Sequence, residues 1–135
     1  MTKYCTRGLP CLMLALALPL AASAADANGA ASKQIATAGA HAGMALGATD
    51  LATAHAHLHH VVNCLVGPSG KGFDATAGDP CKGMGQGAIV DAKGDTAVEA
   101  HLHAALGQAE QGLKATTLDA THADAKKAME SLQAK

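Results

Sequence analysis

Past Tyr4 the 135-residue chain has a single aromatic side chain, Phe73. A core without rings must be filled by Ala, Leu, Val, Ile and Met. Such a core is thin, so the elements around it have to approach closely to exclude water. Alanine and glycine permit that approach, and alanine is also the best helix former. The feature therefore points to an all-α protein whose helices meet through small residues.

The apolar periodicity agrees. Ile35, Ala38, Ala42, Ala45 and Leu46 recur at helical spacing, with Ser32 as the expected N-cap. Leu46 to Asp50 reads as a turn, with Thr49 or Asp50 capping the next helix. There Leu51, Ala54, Leu58, Val61, Val62 and Leu65 form the stripe, and Gly67-Pro68 ends it. Residues 69–94 are rich in glycine and show no sustained period, so they read as a long loop with Phe73 tucked onto the end of the helices. Asp95 or Thr96 then caps a third helix carrying Val98, Leu102, Ala105, Leu106, Ala109 and Leu113. After a turn at Thr116–Asp119, a fourth carries Leu118, Thr121, Ala125, Ala128, Met129 and Leu132.

The two halves match at a shift of 67 residues without gaps. Ala38 falls on Ala105, Ala42 on Ala109, Leu46 on Leu113, Leu51 on Leu118, His55 on His122 and Leu65 on Leu132. A duplicated helical hairpin with short turns predicts an up-down-up-down four-helix bundle. The hairpins are expected at 32–66 and 95–134, joined by a loop at 67–94.

Residues 1–24 read as a cleavable secretory signal. Lys3 and Arg7 precede an apolar run from Leu9 to Leu20, and Ala22 and Ala24 supply the small residues before cleavage. The run is too short to span a bilayer comfortably. Residues 25–135 are then one exported, periplasmic domain with no membrane attachment after signal removal. They carry eight lysines, no arginine and eleven carboxylates, a net charge near −3. That balance argues against a nucleic-acid partner, which would require a basic face.

Two cysteines, Cys64 and Cys81, lie beyond the signal. In an oxidising compartment they are expected to pair and staple the loop. Closing about 18 residues is worth on the order of 3 kcal/mol in the chain-entropy account. The alternative makes Cys64 a thiolate ligand beside the neighbouring histidines.

All eight histidines fall in the expected helices, and four of them crowd into His55-Ala-His57-Leu-His59-His60. His55 and His59 are i,i+4 neighbours and His57 and His60 are i,i+3 neighbours, spacings that bring two imidazoles within reach of one ion. Counting along an antiparallel bundle gathers His57, His59, His60, His101 and His103 near the loop end, with Glu99 and Asn63 as oxygen donors. His41 sits across the hairpin turn from His55 and His57, and His41, His55 and His122 form a second, looser group. Neutral imidazole suits copper(II), nickel(II) and zinc(II), with affinity peaking at copper(II). Met44, Met84 and Met129 are scattered and fit a core better than a copper(I) site.

Enzymatic motifs are lacking. The sequence has no Gly-x-Ser-x-Gly, no His-Glu-x-x-His and no Cys-x-x-Cys-His, and the Gly83–Gly87 run lacks the Lys-Ser/Thr of a phosphate loop. No catalytic role is expected. Two other readings stay open: a helical interaction or envelope-stress protein with pH-sensitive histidines, and a haem or metal-redox bundle.

The segments Ala54-His55-Ala-His57-Leu-His59-His60 and Glu99-Ala-His101-Leu-His103 resemble the small metal-binding protein family of bacterial periplasms. The resemblance covers roughly residues 32–66 and 95–134. It implies a four-helix bundle that buffers or detoxifies divalent metals, copper prominently, through surface histidines. This chain differs in clustering its histidines and in carrying the Cys64–Cys81 loop.

Overall fold

The computed structural model describes residues 22–134, with side chains from residue 29 onward. Among them are five helices and no strand. The long helices are α1 (Ala22–Leu46), α2 (Leu51–Val66), α4 (Thr96–Lys114) and α5 (Leu118–Gln133); a short α3 spans Ala88–Asp91. The expected signal lies outside the described residues, except that its last residues open α1.

α1 starts earlier than the sequence pattern predicts. Ser32 is not an N-cap but an exposed position well inside the helix. The segment before it, Ala22-Ser-Ala-Ala-Asp-Ala-Asn-Gly-Ala-Ala31, is dominated by alanine, whose helix propensity carries the helix through the candidate cap. The caps expected at Thr49 or Asp50 and at Asp95 or Thr96 fall on the two aspartates, and Thr117, which the sequence pattern does not single out, caps α5. Asp50 accepts a hydrogen bond from the Thr53 backbone N–H at 2.8 Å, Asp95 from Val98 at 3.2 Å, and Thr117 from Ala120 at 3.3 Å.

α1 packs on α2 and α5, and α4 packs on α5 and α2, so the four long helices close a ring. The 67-residue repeat is written into this packing. α2 and α5 have matching bounds at that offset, and Asp50 and Thr117 are their matching caps. The buried positions match as well: Ala38 with Ala105, Ala42 with Ala109, Ala54 with Thr121, Leu58 with Ala125, Val61 with Ala128 and Leu65 with Leu132. Small residues let the helices touch. At Gly112 of α4, a Cβ would sit 2.5 Å from Leu58 Cδ1 and 3.3 Å from Asp124 Cβ. No helix among the described residues is long and apolar enough to cross a membrane.

Residues 67–94 are more ordered than a linker. Cys64 and Cys81 form a disulfide with their Cα atoms 5.2 Å apart, so Cys64 is not a free thiolate ligand. At the end of α2, Gly67 and Gly87 cross backbone to backbone. A Cβ on Gly67 would lie 1.9 Å from the Gln86 carbonyl oxygen, and both glycines have positive φ, 68° and 115°. α3 follows at once and buries Ala88, while Asp91 Oδ2 accepts from Gln34 Nε2 of α1 at 2.5 Å and from the Gln86 N–H at 2.9 Å. Phe73 packs, half-buried, against the core as expected. The wrapped loop explains why every residue from Val61 to Val66 is buried, where a lone amphipathic helix would expose one side.

Candidate metal centre

Three histidines from the α1–α2 hairpin converge. His41 Nδ1 lies 3.2 Å from His57 Nδ1 and 3.3 Å from His60 Nδ1. One ligand atom from each of the three falls within 4.8 Å of the other two, the only such group of metal-capable side chains among the described residues. Two nitrogens bound to a tetrahedral ion at zinc–imidazole distance lie about 3.3 Å apart, so the two short edges already have the spacing of a coordination polyhedron. The rings meet tilted or edge-on rather than stacked, with centroids 4.6–5.9 Å apart. All three side chains are half-buried.

His60 is the most constrained. Its Nε2 lies 2.7 Å from the Ala77 carbonyl oxygen. A carbonyl only accepts, so Nε2 carries the proton and Nδ1 presents a lone pair to His41. This is the outer hydrogen bond that a metal-ligating imidazole ordinarily makes.

With a lone pair on His60 Nδ1, its short contact with His41 Nδ1 is satisfied either by a proton on His41 Nδ1 or by a cation held between them. Burial, and then the neighbouring His60 and His57 imidazoles, hold His41 below the usual imidazole range. Burial, and then His60, do the same for His57. Both effects keep these rings neutral, the form that binds metal.

The segment beside His60 is pinned by Asn63. Its Nδ2 donates to the Asp74 carbonyl at 2.8 Å and to the Gly78 carbonyl at 2.6 Å, and its Oδ1 accepts from the Asp74 N–H at 2.8 Å. Within the segment, Asp74 Oδ1 accepts from the Thr76 N–H at 2.8 Å and from the Thr76 hydroxyl at 2.6 Å. Those two bonds, the hydroxyl's foremost, hold the Asp74 carboxyl below its usual range. Asn63 was expected as an oxygen ligand; its side chain is instead spent on the loop. Glu99 Oε1 accepts from the Gly94 N–H at 2.6 Å at the start of α4, and Glu99 joins no metal-capable group among the described residues.

The remaining expected ligands are dispersed. His59 Nδ1 lies 3.6 Å from Asp74 Oδ2, a contact with a single carboxylate. His55 Nε2 is 3.4 Å from the Thr121 hydroxyl, and His122 Nε2 donates to the Ala48 carbonyl at 3.0 Å. His101 is half-buried and His103 exposed on α4, and neither joins a metal-capable group among the described residues. The expected groupings are thus redrawn: His41 leaves His55 and His122, meets His57, which lies across the turn as expected, and is joined by His60.

The reason is the lean of helical side chains toward their own N-termini. Across the Gly47–Asp50 turn, His60 lies farther along α2 than His41 lies back along α1. His41 leans away from the turn and His60 leans toward it, so the rings meet between the heights of their Cα atoms. The role of the Ala77 carbonyl was beyond sequence reasoning, because a backbone oxygen in a Gly-rich loop leaves no side-chain signal.

Compared with known proteins, the chain matches no family model, no curated protein and no solved structure.

Proposed function

We propose that the protein is an exported buffer for divalent transition metals that holds the ion between His41, His57 and His60. The observation that carries this reading is the meeting of three imidazoles, with the Nδ1 atoms of His57 and His60 3.2 and 3.3 Å from that of His41 and the Nε2 of His60 committed to a carbonyl. An all-imidazole donor set suits copper(II), nickel(II) and zinc(II), and the general affinity order puts copper(II) first. The short edges are nearest to a tetrahedral ion, so zinc(II) requires the least rearrangement. Three protein ligands leave a coordination position for water or a delivered ligand, as in adaptable rather than closed structural sites.

The closed ring of helices, the short turns and the 67-residue match of buried positions support an up-down-up-down four-helix bundle built from a repeated hairpin. That architecture and the histidine-bearing segments support kinship with the small metal-binding proteins of the periplasm. Export is supported by the signal-like residues 1–24 and by the Cys64–Cys81 disulfide, which suits an oxidising compartment.

The test is calorimetric titration of residues 25–135 with copper(II), nickel(II) and zinc(II), at neutral pH and near pH 5. Binding of one ion per chain, weaker at the lower pH, is expected. Affinity no tighter than about millimolar for all three would remove the metal reading.

The lowered protonation of His41 and His57 favours one other reading, a histidine-based pH sensor. It predicts a change of helicity between neutral pH and pH 5 without metal.

A further inference from the structure

We propose that residues 74–81 form a positioning strap for the metal centre, selecting the tautomer of His60 and aiming its Nδ1 at the ion. The proposal rests on the metal reading above and deepens it.

The strap is attached at three nearby positions of α2. His60, Asn63 and Cys64 stand at i, i+3 and i+4, on one side of the helix. His60 meets the Ala77 carbonyl, Asn63 grips Asp74 and Gly78, and Cys64 is bonded to Cys81. Asn63 is 1% exposed, among Val61, Val62 and Leu65. A buried amide is costly unless its bonds are made, and here both donors and its oxygen are engaged with strap backbone. The Asp74–Thr76 bonds shape the strap from within, and Gly78, with φ of 88°, turns the chain so that its carbonyl reaches Asn63.

These attachments fix one carbonyl against one imidazole nitrogen. Without it, a neutral imidazole divides between tautomers, and one of them points an N–H at the metal position. With the Ala77 carbonyl at Nε2, that tautomer is disfavoured and the ring cannot turn away without losing its bond. Asn63 and the disulfide are therefore positioning groups that act through His60. Their spacing from the ligand explains why the loop is stapled at Cys64, one helical turn beyond it.

The tautomer is read first in the unaltered oxidised protein, by nitrogen-15 NMR of labelled histidine at neutral pH without metal. His60 is expected with a protonated, slowly exchanging Nε2 and an unprotonated Nδ1. The opposite tautomer, or an even mixture, overturns the proposal. Zinc(II) affinity is then compared among the parent protein, Asn63→Ala and the double variant Cys64→Ala/Cys81→Ala. A chromophoric competitor is used, at a temperature where circular dichroism shows parent helicity. Loss of about 10–100-fold is the expected result, the usual effect of removing an outer partner of a metal ligand. Unchanged affinity in a variant of full helicity overturns the strap while leaving the metal reading intact. Should both variants lose helicity, the parent's tautomer alone decides. A parent protein that binds neither zinc(II) nor copper(II) removes the metal reading itself, a different result from a parent that binds and variants that bind equally well.

Discussion

His60 donates its Nε2–H to the Ala77 carbonyl at 2.7 Å and turns Nδ1 toward His41 at 3.3 Å. One ring thus joins a loop to a three-histidine cluster, and its two nitrogens have different tasks. Of the eight histidines, only His41, His57 and His60 are set so that one ion can touch three of them.

Replacing His41, His57 or His60 singly by alanine is accordingly expected to weaken copper(II) or zinc(II) binding by more than the 10–100-fold associated with losing an outer partner. His103→Ala, at an exposed position of α4, is expected to leave affinity unchanged. Competition titrations on the four variants read this directly. Equal losses from His103→Ala and His41→Ala would mean that binding is diffuse over the surface.

The pH dependence has a definite sign. His41 and His57 are held below the ordinary imidazole range in the folded protein, by burial first and by neighbouring imidazoles second. The unfolded chain therefore binds protons at these positions before the folded one does. Their contribution to stability is whole above about pH 6.5 and is lost as pH falls through the lowered folded values. Urea midpoints measured from pH 7.5 to 5 are expected to fall, and His41→Gln is expected to flatten that slope. The same lowering lets metal compete with protons further into the acid range than at a free imidazole.

Metal should stabilise the fold by linkage. An ion bound only by the folded state adds about 2.7 kcal/mol at a free concentration one hundred times Kd. The thermal midpoint of the oxidised protein is expected to rise with zinc(II) and return on chelation. With His57→Ala the rise should shrink, because the i,i+3 pair with His60 is gone.

Much of this fold is legible in the sequence because its signals are local. The turn before Asp50 follows from cap chemistry and the end of an apolar period, the second turn is found but read at 116–119, two residues into α5, and the 67-residue match follows from duplicate stripes. The start of α1 was hidden because alanine has no boundary of its own, so Ser32 looked like a cap. α3 was hidden because four residues are too few to show a period. For the site, the sequence marks the histidines and not their partners. Cα heights alone separate His41 from His60, and only the opposed lean of side chains on antiparallel helices brings them together. The strap was illegible because Ala77 takes part through its backbone and Asn63 looks like a ligand rather than a clamp.

The repeat also contains an asymmetry with an energetic consequence. Leu58 and Ala125 are matched across the two hairpins, as are Ala45 and Gly112, and all four are buried. The large residue of the first pair sits where the second pair has lost its methyl, since a Cβ on Gly112 would lie 2.5 Å from Leu58 Cδ1. Leu58→Ala removes a fully buried side chain and is expected to cost about 2–5 kcal/mol. Gly112→Ala alone sets a gain of helix propensity, up to about 1 kcal/mol, against overpacking of about 1–3 kcal/mol. In the Leu58→Ala background the clash is gone and the added methyl enters the space left behind, so the same Gly112→Ala change is expected to stabilise. A double-mutant cycle from urea unfolding should therefore show a coupling of at least about 0.5 kcal/mol in favour of the double variant. Simple additivity would mean that Leu58 can move aside at no cost, and that the hairpins do not interlock at Gly112.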